Sequence, residues 1–172
     1  MKDASATIAR LDAEDAEEAE RELLDCCGSR TWARAVVSRR PFADAGALRL
    51  AVERAFDELD AEDWEEALAA HPRLGAGAGS GRQSARSARW SAGEQAGLGP
   101  DEATRARLAD GNRRYQAKFG RAFVLRAAGR TAGEVLAELE RRLALDPAAE
   151  LAEAADQQRE ITRLRIDRML AG

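Results

Sequence analysis

The sequence predicts an all-α protein, and three observations carry that prediction. Apolar residues recur every three to four positions through most of the 172 residues, which gathers them on one face of a helix. Thr, Asp, Gly and Pro stand where these periodic runs begin and end. A single stretch leans toward β structure, Phe123-Val124-Leu125, and it is too short and isolated to build a sheet. The expected architecture is one compact domain of seven to eight helices spanning 1–172, with no internal repeat.

The elements follow in order. Residues 4–27 carry Ile8, Leu11, Ala16, Ala19, Leu23 and Leu24 at helical spacing, with Gly28 as the stop and Cys26 and Cys27 as small helix residues. Thr31 then caps a helix holding Trp32, Ala35 and Val36, which must end before Arg40-Pro41, because a residue preceding proline is pushed out of the α region. In "DAGALRLAVERAFDEL" Leu48, Val52 and Phe56 form one stripe, and a further helix from about Asp60 to Ala70 turns Trp64 and Leu68 inward. Residues 75–89, "GAGAGSGRQSARSAR", lack periodicity and read as a flexible loop, unusually long for the inside of a domain. Past Trp90 a short helix begins. Pro100 opens a longer one through Leu108, Asn112, Tyr115 and Phe119, stopped by Gly120. Thr131 and Glu134 make a capping box, and Asp146-Pro147 supplies a cap and first-turn proline for a last helix to about Leu170.

Composition excludes several function classes. Net charge is −4, from 27 basic and 31 acidic residues interspersed along the chain, so there is no one-signed surface for nucleic acid. No run approaches the ~18 apolar residues of a membrane span, and the charged N-terminal stretch does not read as a signal peptide. A soluble cytoplasmic protein is expected. Two adjacent cysteines offer neither a disulfide framework nor a thiolate metal site, and one histidine cannot supply paired metal ligands. No metal and no cofactor is expected. The 25 Arg against two Lys carry no functional weight.

Three constellations remain, each with an ordinary structural reading. His71 is the only histidine, beside the glycine-rich stretch. Taken alone it is a helix-end residue favoured by the dipole, with little core to lose, and Pro72 reinforces that reading. Ser91 and Glu94 have the spacing of a capping box, yet a carboxylate pinned at a helix N-terminus also stands beside free N–H groups able to hold an anion. "NRRYQAKFGRAFVLRAAGR" joins a helix end to an apolar segment of unpaired backbone, either a buried connection or a partner for a planar heterocycle rich in amides.

In this order and spacing the motifs resemble the 2-oxo-4-hydroxy-4-carboxy-5-ureidoimidazoline (OHCU) decarboxylases of urate degradation. "AAHPRLG" is similar to that family's His-Pro-Arg/Asp-Leu/Ile-Gly signature, and "WSAGEQAGL" to its Ser-x-x-Glu-Gln segment. "NRRYQAKFGRAFV" resembles its Asn-x-x-Tyr-x-x-Lys-Phe-Gly-x-x-Phe-Val run, "EITRLRIDRML" its closing helix with Ile166 for the commoner Leu, and "CCGSRTWARAVVSRRPF" the segment ending in Arg-Pro-Phe. The resemblance covers nearly the whole chain. It implies an all-helical, cofactor-independent homodimer that converts OHCU to (S)-allantoin and CO2. It carries the catalytic role to His71, with Glu94 as acidic partner. Substrate contacts fall on Pro72, Ser91, Gln95, the backbone of Ala122, Phe123, Val124, Leu125 and Arg126, and on Arg165.

The chemistry is consistent with a chain that carries no cofactor motif. Decarboxylation leaves an electron pair on carbon, and most enzymes delocalise it into a bound cofactor. In OHCU the carboxylate sits beside a ring C=N that accepts the pair itself. The protein must orient the C–CO2 bond, stabilise the growing charge and deliver one proton to one face, work for a single imidazole tuned by a carboxylate. At about 100° per residue Arg165 lies roughly 40° from Ile161, on the inward stripe, and Arg163 roughly 160° away, so only Arg165 is expected to reach the substrate. The alternative is a non-enzymatic helical interaction protein, which would leave the four dispersed motifs without a reason.

Overall fold

The computed structural model describes residues 4–71, 85, 86, 89, 90, 93 and 99–172. Among the described residues, eight helices with both ends defined follow in chain order: α1 (Ala4–Ala13), α2 (Ala16–Leu24), α3 (Arg30–Val37), α4 (Ala45–Phe56), α5 (Ala61–Ala69), α6 (Glu102–Phe119), α7 (Ala132–Leu143) and α8 (Pro147–Ala171). Among the described residues there is no strand, and the protein is all-α. The glycine-rich loop expected at 75–89 and the short helix after Trp90 fall mainly outside the described residues. The chain divides into two compact units, Met1–Ala67 with Arg159–Gly172, and Leu68–Gln158.

In the first unit, two of the expected starts differ. Residues 4–27 form two helices rather than one. Asp15 caps α2 by accepting from the Glu18 N–H at 2.8 Å, and the Arg40 guanidinium takes the carbonyls of Leu11 and Glu14 at 2.7 and 2.9 Å. A cap and a distant cation together satisfy the backbone groups that a break exposes. Cys26 and Cys27 lie buried just beyond the end of α2 rather than within it. The α3 cap is Ser29 and not Thr31: the Ser29 hydroxyl accepts from the Trp32 N–H at 3.2 Å, the N-cap to N3 geometry, and Thr31 already belongs to the helix.

The core of this unit is aromatic. Leu48, Val52 and Phe56 are buried on one stripe of α4, as their spacing predicts. Phe56 stacks on Trp32 at 5.9 Å and on Trp64 at 5.7 Å between ring centroids, and the Trp32 indole donates to the Val52 carbonyl. The Arg159 guanidinium covers both Phe56 and Trp64, at 5.2 and 5.4 Å from their centroids, a cation placed over π faces.

In the second unit α6 packs on α7. Asp101 caps α6 and Gly120 ends it in the left-handed conformation at φ 75°, which is why a glycine stands there. The Thr131–Glu134 capping box forms as predicted, and Asp146 accepts from the Ala148 and Ala149 N–H groups at the start of α8. Between α6 and α7 the chain runs non-helical from Arg121 to Thr131. Phe123, Leu125 and Ala127, alternate residues of that run, join Leu108, Tyr115, Val135, Leu136 and Leu139 in the core.

Candidate active site

His71 follows the last turn of α5, its backbone N–H donating to the Leu68 carbonyl at 3.1 Å. Its side chain is buried, with 9 % of the residue exposed, so the expectation that it has little core to lose does not hold. Pro72, Ser91, Glu94 and Gln95 lie outside the described residues.

The segment Ala122–Arg126 begins two residues after the Gly120 turn. Phe123, Val124 and Leu125 are buried, Ala122 is half-buried and Arg126 exposed. Two of its backbone groups are already engaged. The Val124 carbonyl accepts from Arg142 at 2.8 Å, and the Arg126 N–H donates to the Gln157 side-chain oxygen at 3.1 Å. Among the described residues, no partner meets the N–H groups of Ala122, Phe123, Val124 and Leu125. Backbone donors on buried residues are almost always paired, so the open N–H groups of Phe123, Val124 and Leu125 are available to a polar partner outside these residues.

Beneath the segment lies a polar cluster that sequence reasoning missed. The Glu150 carboxylate, fully buried in the first turn of α8, receives the Tyr115 hydroxyl and the guanidinium groups of Arg121 and Arg142. The Arg142 side chain is fully buried and that of Arg121 nearly so. Arg142 also donates to the Tyr115 oxygen at 3.1 Å. Burial pushes the Tyr115 hydroxyl well above its ordinary range, so it stays a neutral donor to the carboxylate. Phe123 meets Tyr115 edge-on at 5.2 Å between centroids and lies 5.0 Å from the Arg142 guanidinium. One signal was available: Arg142 is seven residues beyond Val135 and three beyond Leu139, an arginine on the apolar stripe of α7.

Arg165 belongs to the other unit. It is buried, with 3 % of the residue exposed, and donates to the Asp25 carbonyl at 3.1 Å beyond the end of α2. One turn away Thr162 donates to the Cys26 carbonyl. Arg163 points the other way, with 44 % of its side chain exposed, and pairs with Glu53 and Glu160. The helix-face assignment of the two arginines therefore holds for their burial. Among the described residues no three His, Cys, Asp or Glu side chains gather as a metal would require, and no helix is long and apolar enough to cross a membrane.

The sequence model of the OHCU decarboxylase family matches residues 12–167. The uric acid degradation bifunctional protein TTL of Arabidopsis thaliana is 34 % identical over 154 residues, 88 % of this chain and 47 % of that protein, so the chain spans about half of its length. A Homo sapiens protein provisionally named 2-oxo-4-hydroxy-4-carboxy-5-ureidoimidazoline decarboxylase is 37 % identical over 159 residues, 87 % of this chain and 89 % of its own. The crystal structure of an OHCU decarboxylase in the presence of (S)-allantoin superposes with a TM-score of 0.72 at 30 % identity, covering 88 % of this chain and 98 % of that one.

Proposed function

The chain belongs to the OHCU decarboxylase family, and we propose that it is a carboxy-lyase that converts OHCU to (S)-allantoin and CO2 in urate degradation. The observation that carries this reading is the buried segment after Gly120, whose open N–H groups suit the amide-rich ring of that substrate. It lies inside the family match.

Decarboxylation breaks the C–CO2 bond and moves its electron pair into the neighbouring ring C=N, onto nitrogen. This leaves a C=C bond between the carbon that lost CO2 and the ureido-bearing carbon. The hydroxyl on the carbon that lost CO2 gives up its proton, by way of the ring nitrogen, and becomes the ring carbonyl, while the ureido-bearing carbon takes a proton on one face. We assign that proton to His71, with Glu94 as the carboxylate that holds the imidazole tautomer and favours its charged form. The N–H groups of the Ala122–Leu125 segment bind ring oxygens and hold the plane of the heterocycle, so that the breaking bond stands perpendicular to it. Arg165, Pro72, Ser91, Gln95 and Arg126 complete the substrate contacts. On this reading the substrate is its own electron sink and no cofactor is required.

We further propose a cytoplasmic homodimer. Direct assay with freshly generated OHCU, following CO2 release and the chirality of the allantoin, tests the function. Rapid formation of one enantiomer is expected. Racemic product at the spontaneous rate would leave a helical interaction protein as the better reading, and a sedimentation mass of one chain would refute the dimer.

A further inference from the structure

We infer that Arg142 and Gln157 are positioning residues that clamp the Ala122–Arg126 segment at two consecutive peptides and so set the direction of the open Leu125 N–H. The inference rests on the substrate reading proposed above and adds to it two residues that touch neither substrate nor reacting atoms.

A non-helical segment outside any sheet has no ladder to fix its rotation about its own axis. Its peptide planes can turn with little cost unless something holds them. Here two planes are held. Arg142 takes the Val124 carbonyl, which fixes the peptide shared by Val124 and Leu125. Gln157 takes the Arg126 N–H, which fixes the peptide shared by Leu125 and Arg126. Two consecutive planes pinned through opposite groups, one by its carbonyl and the next by its N–H, define the twist of the chain between them. The Leu125 N–H belongs to the first pinned plane, so the Arg142 bond aims it opposite to the carbonyl that Arg142 holds.

The two anchors differ in rigidity. Arg142 is fully buried and braced by Glu150, and a planar guanidinium with several donors can serve both the carboxylate and the carbonyl without moving. Phe123 packs against both the Tyr115 ring and the Arg142 guanidinium, which keeps the start of the segment in register. Gln157 is half-buried on α8 and makes one bond to the segment. Its removal should therefore loosen the segment and leave the core intact, which makes it the better variant.

The test compares wild type with Gln157→Leu and Gln157→Glu. Gln157→Leu keeps the size and loses the acceptor, whereas Gln157→Glu keeps an oxygen for the Arg126 N–H. Expected for Gln157→Leu are faster amide hydrogen exchange at Arg126, a KM raised about tenfold with kcat within about twofold, and an unchanged melting midpoint, the pattern of lost ground-state binding. Gln157→Glu should restore both exchange and KM. Arg142→Lys, which cannot hold carbonyl and carboxylate together, should shift exchange and KM the same way and more strongly. Unchanged exchange and KM in Gln157→Leu, or a KM defect that Gln157→Glu does not rescue, would overturn the clamp while wild-type turnover left the decarboxylase reading standing. A wild type that does not consume OHCU would instead overturn the reading itself, and this inference with it.

Discussion

Replacing Glu150 by glutamine removes one negative charge from the interior and changes almost nothing in volume. In the native protein that carboxylate answers two guanidinium groups, Arg142 with no side-chain exposure and Arg121 with 6 %. It also accepts from the Tyr115 hydroxyl. A glutamine amide has one oxygen to offer and turns a donor toward cations that are themselves donors only. Breaking a buried ion pair by removing one partner costs about 3–5 kcal/mol, because the other charge stays buried without compensation. For a chain of this size ~1 kcal/mol shifts the midpoint by about 2–4 °C, so the expected fall is roughly 6–20 °C. Glu140→Gln is the matched control. Glu140 pairs with Arg114 at the surface, with side chains 42 % and 52 % exposed, and exposed pairs contribute at most about 1 kcal/mol. Thermal and urea unfolding followed by far-UV circular dichroism measures both variants. If Glu150→Gln lost less than about 1 kcal/mol, or no more than Glu140→Gln, the argument that this carboxylate compensates buried cations would be wrong.

Other outcomes follow from the same contacts. His71→Asn should lower kcat by about 10²–10⁴-fold and shift the allantoin from one enantiomer toward both; because His71 is buried, its melting midpoint must be read alongside, and retained (S)-allantoin formation at near wild-type rate would remove it from the mechanism. Arg165→Ala should impair turnover sharply whereas Arg163→Ala, which loses only surface pairs with Glu53 and Glu160, should leave kcat/KM nearly unchanged; the reverse ranking would show that the wrong helix face was chosen. Ser29→Ala should cost about 1 kcal/mol in urea unfolding through loss of the α3 cap, and Thr31→Ala much less; an equal loss from both would refute the cap assignment. The Glu53 and Glu138 carboxyls are held below their ordinary range by hydrogen bonds from Arg163 and Arg141, and Glu134 by the Thr131 backbone N–H. Depressed native values mean that the unfolded chain binds protons more readily, so this stability is present above the unfolded value of about 4.3 and lost as pH falls through and below it. A urea midpoint constant between about pH 6 and pH 3 would contradict that sign.

Much of the fold was legible because helices are specified over short distances. The stripe Leu48, Val52 and Phe56, the capping box at Thr131, the Gly120 stop and the Asp146-Pro147 start each depend on residues within one or two turns, and each stands where the sequence puts it. The same local geometry separated Arg165 from Arg163, since a helix turns by a fixed angle per residue. The motif residues of the candidate site were legible too, as types and spacings that resemble a family. That resemblance carries roles and says nothing of burial or hydrogen-bond partners.

What the tertiary structure decided lies where the partner is far away in sequence. Residues 4–27 read as one helix; besides the local Asp15 cap, the break rests on Arg40 reaching back to the carbonyls of Leu11 and Glu14. Arg142 looks like one more basic residue in "ERRLAL" until Glu150, Tyr115 and the Val124 carbonyl surround it, a Tyr115–Glu150 contact spanning 35 positions. Periodicity and capping involve backbone groups a few residues apart, so the sequence by itself determined which faces are apolar and where helices begin. A buried charge is tolerable only when its compensating groups converge on it in space. That convergence, and with it the hold on the segment that we assign to substrate, is a property of the packed chain alone.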